Sequence, residues 1–114
     1  MAIMPKKVIV VLNNKSDFMD LIFSALSNPY RRAIIRYLGK HKEITSIRDK
    51  MKDIILLENP NLDPYNIPTI ATRLREGFGM IEKINGNWRL TEIGQIAYKI
   101  LISVDEHYEM YIKK

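Results

Sequence analysis

The sequence predicts a single, mainly α-helical domain that carries one small β-hairpin and ends in a long helix. Three observations carry that reading. Apolar residues recur at helical spacing in five separate segments. An Asn85-Gly86 pair lies between two short strand-like runs. The apolar stripe of the last segment keeps helical spacing from Ile93 to Ile112. A chain of 114 residues with 46% apolar content is long enough for one core and too short for a multidomain enzyme.

Val8 to Leu12 is a short β-branched run ended by Asn13 and Asn14, which reads as a strand or extended arm. Ser16 then caps a first helix whose Phe18, Leu21, Ile22, Ala25 and Leu26 share one face. Asn28 followed by Pro29 starts a second helix, because the Asn side chain accepts from free N–H groups and Pro supplies helical φ at the first position. It runs to about Leu38, buries Tyr30, Ile34, Tyr37 and Leu38 with Ile35 at the edge, and is ended by Gly39. Ser46 and Asp49 have capping-box spacing for a third helix through Ile47, Met51, Ile54 and Ile55. Pro60, Asp63, Pro64 and Pro68 punctuate the connection that follows. Ile67, Ile70, Ala71 and Leu74 mark a short fourth helix stopped by Gly77 and Gly79. Met80 to Ile84 and Trp88 to Leu90 then flank the turn Asn85-Gly86-Asn87, and Thr91 caps the last helix.

The charge of +5 and pI near 9.5 are compatible with a nucleic acid or an anionic surface as partner. Its distribution is uneven. Residues 28 to 52 hold eight basic side chains against two acidic ones, whereas residues 91 to 112 hold one basic against four acidic. The absence of Cys removes disulfides, thiolate metal sites and thiol nucleophiles together. Only His41 and His107 offer an imidazole, and neither has the partners of a catalytic or metal site, so no enzyme, metal or cofactor is expected. No stretch reaches the roughly 20 apolar residues of a membrane span, and the apolar run after Lys6 and Lys7 is shorter than a signal-peptide core. The expectation is a cytoplasmic protein without a membrane partner. The Ile-rich, Cys-free composition is compatible with a thermophilic, AT-rich source such as an archaeon or its virus.

Helices followed by an Asn-Gly hairpin and a further helix are the order of a winged helix-turn-helix with a long C-terminal dimerisation helix. The segment Ala25-Leu26-Ser27-Asn28-Pro29-Tyr30-Arg31-Arg32 resembles the "ALSDPTR" opening of ArsR-type regulators. Leu90-Thr91-Glu92-Ile93-Gly94 resembles the "LTEKG" that follows the wing in many winged-helix repressors, and MarR-type regulators are a looser likeness. The resemblance implies an N-terminal arm over 1–15, a winged helix-turn-helix over 16–90 and a dimerisation helix over 91–114. The sequence departs from the pattern at the long Pro-bearing connection and at Gly77, where a second Leu is usual, so Phe78 is expected to fill the gap.

In that arrangement the fourth helix is the recognition helix, with Thr69, Thr72, Arg73 and Glu76 outward, Arg75 at the flank, and Arg73 able to donate two hydrogen bonds to guanine. The same four residues are also what a solvated helix face contains. The wing offers Lys83, Asn85, Asn87 and Arg89 to the DNA backbone or minor groove. Trp88 reads as a cap on the core in preference to a base-stacking platform. Arg32, Arg36 and Lys40 form an exposed stripe and are weak candidates for phosphate contact. Arg31 matches the Arg of the family's Pro-x-Arg motif, which more often braces the fold. Ile93, Ile96, Ile100, Leu101, Val104, Tyr108 and Tyr111 form the expected homodimer interface on a helix spanning roughly 30 Å.

The expected function is sequence-specific binding of double-stranded DNA by a homodimeric transcriptional repressor, with about 6 to 10 phosphate contacts per dimer. The alternative is a winged-helix interaction module that holds a protein or RNA partner without reading DNA sequence. A small-molecule effector is neither implied nor excluded.

Overall fold

A computed structural model describes residues 14–114, and the expected strand at Val8 to Leu12 lies outside the described residues. The described chain is mainly helical with a two-stranded antiparallel hairpin. Its elements are α1 (Lys15–Leu26), α2 (Pro29–His41), α3 (Met51–Leu56), α4 (Ile67–Glu76), β1 (Ile81–Ile84), β2 (Asn87–Leu90) and α5 (Glu92–Ile112). Single 3-10 turns at Arg48–Lys50 and Pro64–Asn66 lead into α3 and α4. No helix among the described residues is long and apolar enough to cross a membrane.

The helix starts follow local side-chain chemistry. α1 begins earlier than Ser16 implied, because Asn14 is the better-placed cap and its Oδ1 accepts from the Asp17 N–H at 3.1 Å. α2 starts as expected, with Asn28 Oδ1 accepting from the N–H groups of Tyr30 at 2.9 Å and Arg31 at 3.1 Å. It does not stop at Gly39. The helix continues to His41 and is ended by Lys42 at φ 72°, while Gly39 sits inside it at a close approach to the Tyr98 ring that leaves no room for a Cβ. Ile35, expected at the edge, is fully buried.

The third segment divides into a 3-10 turn and a six-residue helix. Ser46 Oγ accepts from the Asp49 N–H at 3.1 Å, one half of the capping box, with no return bond from the Asp49 side chain. The Pro-bearing connection is tied down at its end. Tyr30 Oη accepts from the Asp63 N–H at 3.1 Å and from Asn66 Nδ2 at 3.2 Å, which fixes the start of α4 against the start of α2.

The core lies around α2, which packs against every other helix and against β2. Ala33, Ile34, Ile35 and Leu38 are buried there with Ile54, Ile67, Leu74, Ile81 and Ile93 from the surrounding elements. Hairpin register pairs Ile81 with Leu90 and Lys83 with Trp88, so these four residues share one face. The turn holds only Asn85 at φ 52° and Gly86 at φ 82°, the left-handed pair that a two-residue type I′ turn requires. Asn87, read as a turn residue, is the first residue of β2. Ile44 also bridges Trp88, with N–H to O distances of 3.1 and 2.7 Å in the two directions, and so adds a third strand-like contact that the sequence did not signal.

The hairpin is locked to α5 through Thr91. Its hydroxyl donates to the Gly79 carbonyl at 2.6 Å and accepts from the Gly94 N–H at 3.2 Å. Gly94 lies against the Met80 backbone, where an added Cβ would meet the carbonyl oxygen and come within 3.2 Å of the Leu90 side chain. Neither backbone can give way cheaply. Gly94→Ala is therefore expected to cost about 2 to 3 kcal/mol, read as a lower urea midpoint at unchanged slope.

Candidate nucleic-acid interface

α4 is amphipathic. Ile67, Ala71 and Leu74 are buried, Ile70 is half-buried, and Thr69, Thr72, Arg73 and Glu76 are exposed on the outer face. Pro68 in the first turn sets helical φ, and Gly77 closes the helix with its N–H on the Arg73 carbonyl at 2.7 Å. The Arg73 side chain has no ion pair or hydrogen bond among the described residues, so its guanidinium is available to an external acceptor. The Thr72 hydroxyl donates to the Pro68 carbonyl at 3.2 Å, which commits its proton and leaves the oxygen able only to accept. Phe78, next to Gly77, packs against the core, and its ring carries the Arg31 guanidinium at 4.7 Å.

The hairpin divides the wing candidates between two faces. Lys83 and Trp88 share the inner face, and Lys83 Nζ lies 5.5 Å from the indole centroid. Arg75 approaches the same ring at 5.5 Å and reaches Glu76 at 3.3 Å. Arg89 stands on the outer face, where its Nε donates to Glu82 at 3.1 Å. Asn87 Nδ2 donates to Glu43 at 3.3 Å, and Asn85 is exposed at the tip. Trp88 is half-buried. It caps the core as expected and also forms one wall of an open cleft of about 270 Å³ between α4, the hairpin and the segment at Thr45 to Arg48.

The arginines of α2 are bound within the fold, contrary to the expected exposed stripe. Arg32 donates to Glu58 at 2.6 Å and to the Leu26 carbonyl at 2.8 Å. Arg36 donates to the other Glu58 oxygen at 2.9 Å and holds Asp105 through both terminal nitrogens. The bonds to Asp105 and Glu58 outweigh desolvation and raise the Arg36 pKa. Arg31 donates to the carbonyls of Ala25 at 3.1 Å and Ser24 at 2.7 Å. Burial lowers its pKa, although an Arg starts far enough above neutrality to stay charged. Of the four weak phosphate candidates, only Lys40 is exposed. Sequence spacing showed that these side chains share a stripe. It did not reveal that Glu58 and Asp105 arrive opposite them from distant parts of the chain.

The stripe on α5 also divides. Ile93 and Leu101, expected at a dimer interface, are buried in the chain's own core. Ile96 and Ile100 lie at the boundary, and Val104, Tyr108 and Tyr111 are exposed. From Ser103 onward every residue except Asp105 is exposed. His107 Nδ1 lies 2.7 Å from the Ser103 carbonyl within the same helix, and no group of three His, Cys, Asp or Glu side chains suited to a metal occurs among the described residues.

No protein-family model, curated protein or solved structure matches the chain.

The Arg32–Glu58–Arg36–Asp105 chain of charges yields an ordered expectation. The Glu58 side chain is 12% exposed and serves two guanidinium groups, whereas Asp105 is 44% exposed and serves one. Glu58→Gln is expected to cost about 2 to 3 kcal/mol, and Asp105→Asn about half as much. Thermal unfolding of the two variants checks the order.

Proposed function

We propose that the chain is a winged helix-turn-helix protein that reads double-stranded DNA sequence and regulates transcription as a homodimer, in the manner of the ArsR-type regulators that its Ala25–Arg32 and Leu90–Gly94 segments resemble. The observation that carries this reading is α4. Its apolar side is anchored in the core, its outer side presents Thr69, Thr72, Arg73 and Glu76, and a tight hairpin stands beside it. In this reading α4 enters the major groove and Arg73 donates to a base edge, while Lys83 and Asn85 meet the backbone alongside. Two protomers joined through α5 would address half-sites about one helical turn apart. Repression then follows from exclusion of the transcription machinery.

Dimerisation rests on the exposed apolar residues Val104, Tyr108 and Tyr111, which extend beyond what the protomer's own core covers. The pairing of Arg32, Arg36 and Arg89 with carboxylates leaves fewer unneutralised cations, and this favours the second reading, a winged-helix module that binds a protein or RNA partner.

Selection from a random duplex pool separates the two. The expected outcome is an enriched palindromic motif, and Arg73→Ala is expected to lose about 1 to 3 kcal/mol of base discrimination at one position per half-site. Recovery of no motif, with Arg73→Ala indistinguishable from the parent, rejects DNA reading. Val104→Asp is expected to shift sedimentation toward the monomer and to weaken DNA binding with it. A chain that sediments as a monomer before substitution rejects the dimer.

A further inference from the structure

The cleft between α4 and the hairpin has a composition that neither the recognition helix nor the wing accounts for alone. Arg48 comes from the 3-10 turn ahead of α3, Lys83 from β1, Thr45 from the segment that follows α2, and Thr72 from α4. Trp88 is the wall between them, and Arg75 lies over its ring at the α4 side. No carboxylate lines the cleft. Arg48 and Lys83 are both exposed, and neither side chain has a hydrogen bond or ion pair among the described residues.

The chemistry of these groups is one-sided. Lys and Arg side chains donate hydrogen bonds and accept none, and the Thr45 hydroxyl can donate as well, whereas the Thr72 proton is committed to the Pro68 carbonyl. A nucleobase edge or a peptide presents donors and acceptors together, and its donors would meet only hydroxyl oxygens there and nothing on the two cations. A phosphate is all acceptor, carries the opposite charge, and is matched by guanidinium and ammonium groups on two sides. The volume of about 270 Å³ exceeds a single phosphate and leaves room for the sugar attached to it against the indole face.

We propose that this cleft seats one phosphate of a DNA strand, held by Arg48 and Lys83, with the adjoining sugar against Trp88. The source of the phosphate rests on the DNA-binding reading given above, because the same chemistry would also suit a free mononucleotide. Thr72 borders both the cleft and the outer face of α4, so a phosphate held there fixes where α4 stops along the groove. The contact sets register and carries no sequence information. Arg48 is then a positioning residue, distinct from Arg73, which faces the bases.

Trp88 is the single Trp of the chain, so its emission reports on the cleft without a label. The full-length protein is titrated with a labelled 20-base-pair duplex, with inorganic phosphate and with adenosine monophosphate, beside the variants Arg48→Ala, Lys83→Ala and their combination. Lys99→Ala on α5 serves as a charge-matched control, and circular dichroism confirms folding. The expected result is saturable change in Trp88 emission with duplex, about tenfold weaker duplex binding for each single variant at low salt, and a salt slope lower by about 1 per removed cation. The preferred DNA sequence is expected to stay the same, and Lys99→Ala to bind as the parent does. Duplex binding by the combined variant with parental affinity and salt slope overturns the cleft while leaving DNA reading intact. Absence of duplex binding, with a saturable response to phosphate or adenosine monophosphate that the combined variant loses, overturns DNA as the source and assigns the cleft to a free phosphate ligand. Silence toward all three probes overturns both readings.

Discussion

The burial of α2 is the constraint from which the rest of the molecule follows. A helix packed by four other helices and a strand has almost no side left for solvent, so its polar residues must find partners inside the fold or be excluded from it. Ala33, Ile34, Ile35 and Leu38 supply the apolar contacts. Arg31, Arg32 and Arg36 cannot be withdrawn, and each is satisfied by groups brought in from elsewhere: the carbonyls at the end of α1, the Glu58 carboxylate beyond α3, and Asp105 on α5. The same residues that make α2 basic therefore bind its neighbours to it. Three elements that share no strand ladder are held in place by one helix and its guanidinium groups.

The outer face of α4 depends on this arrangement at one remove. Tyr30, in the first turn of α2, receives hydrogen bonds from Asp63 and Asn66 just ahead of α4, so the irregular connection ends at a fixed point. At the other end of α4, the Met80 N–H bonds to the Leu74 carbonyl and the Thr91 N–H bonds to Met80, which joins helix, hairpin and α5 in one run of backbone contacts. The Ile44 bridge to Trp88 adds a third attachment for the hairpin. Helix and hairpin are thus spaced by backbone hydrogen bonds and not by flexible side chains.

Much of this was legible in the sequence where the signal is local. Asn28-Pro29 marked the start of α2, Thr91 the start of α5, and Asn85-Gly86 the hairpin, because a cap or a left-handed turn is decided within three or four residues. The inward and outward sides of α4 were legible too, since helical period alone sorts Ala71 and Leu74 from Thr72 and Arg73. Non-local facts were not. Gly39 looked like a helix stop because nothing nearby announces that Tyr98 will press against it. Arg32 and Arg36 looked free because their acid partners, Glu58 and Asp105, become neighbours only in the folded chain. The cleft was invisible for the same reason: Arg48, Thr72 and Lys83 belong to three separate elements.

The asymmetry of α5 has a mechanical consequence. Its first turns are clamped, by Gly94 against the Met80 backbone and by Thr91 to Gly79, whereas every residue from Glu106 onward is exposed. Ala97 and Leu101 are still buried in the core, and from Leu101 to Ile112 the helix is a rod of about 16 Å. Tilting such a rod by about 10° around its packed end sweeps the tip through about 3 Å, and the converse holds for a load applied at the tip. Anything that grips Tyr108 or Tyr111 therefore has leverage over the hairpin, and the Arg36–Asp105 pair, partway along the rod, is the stay that resists it.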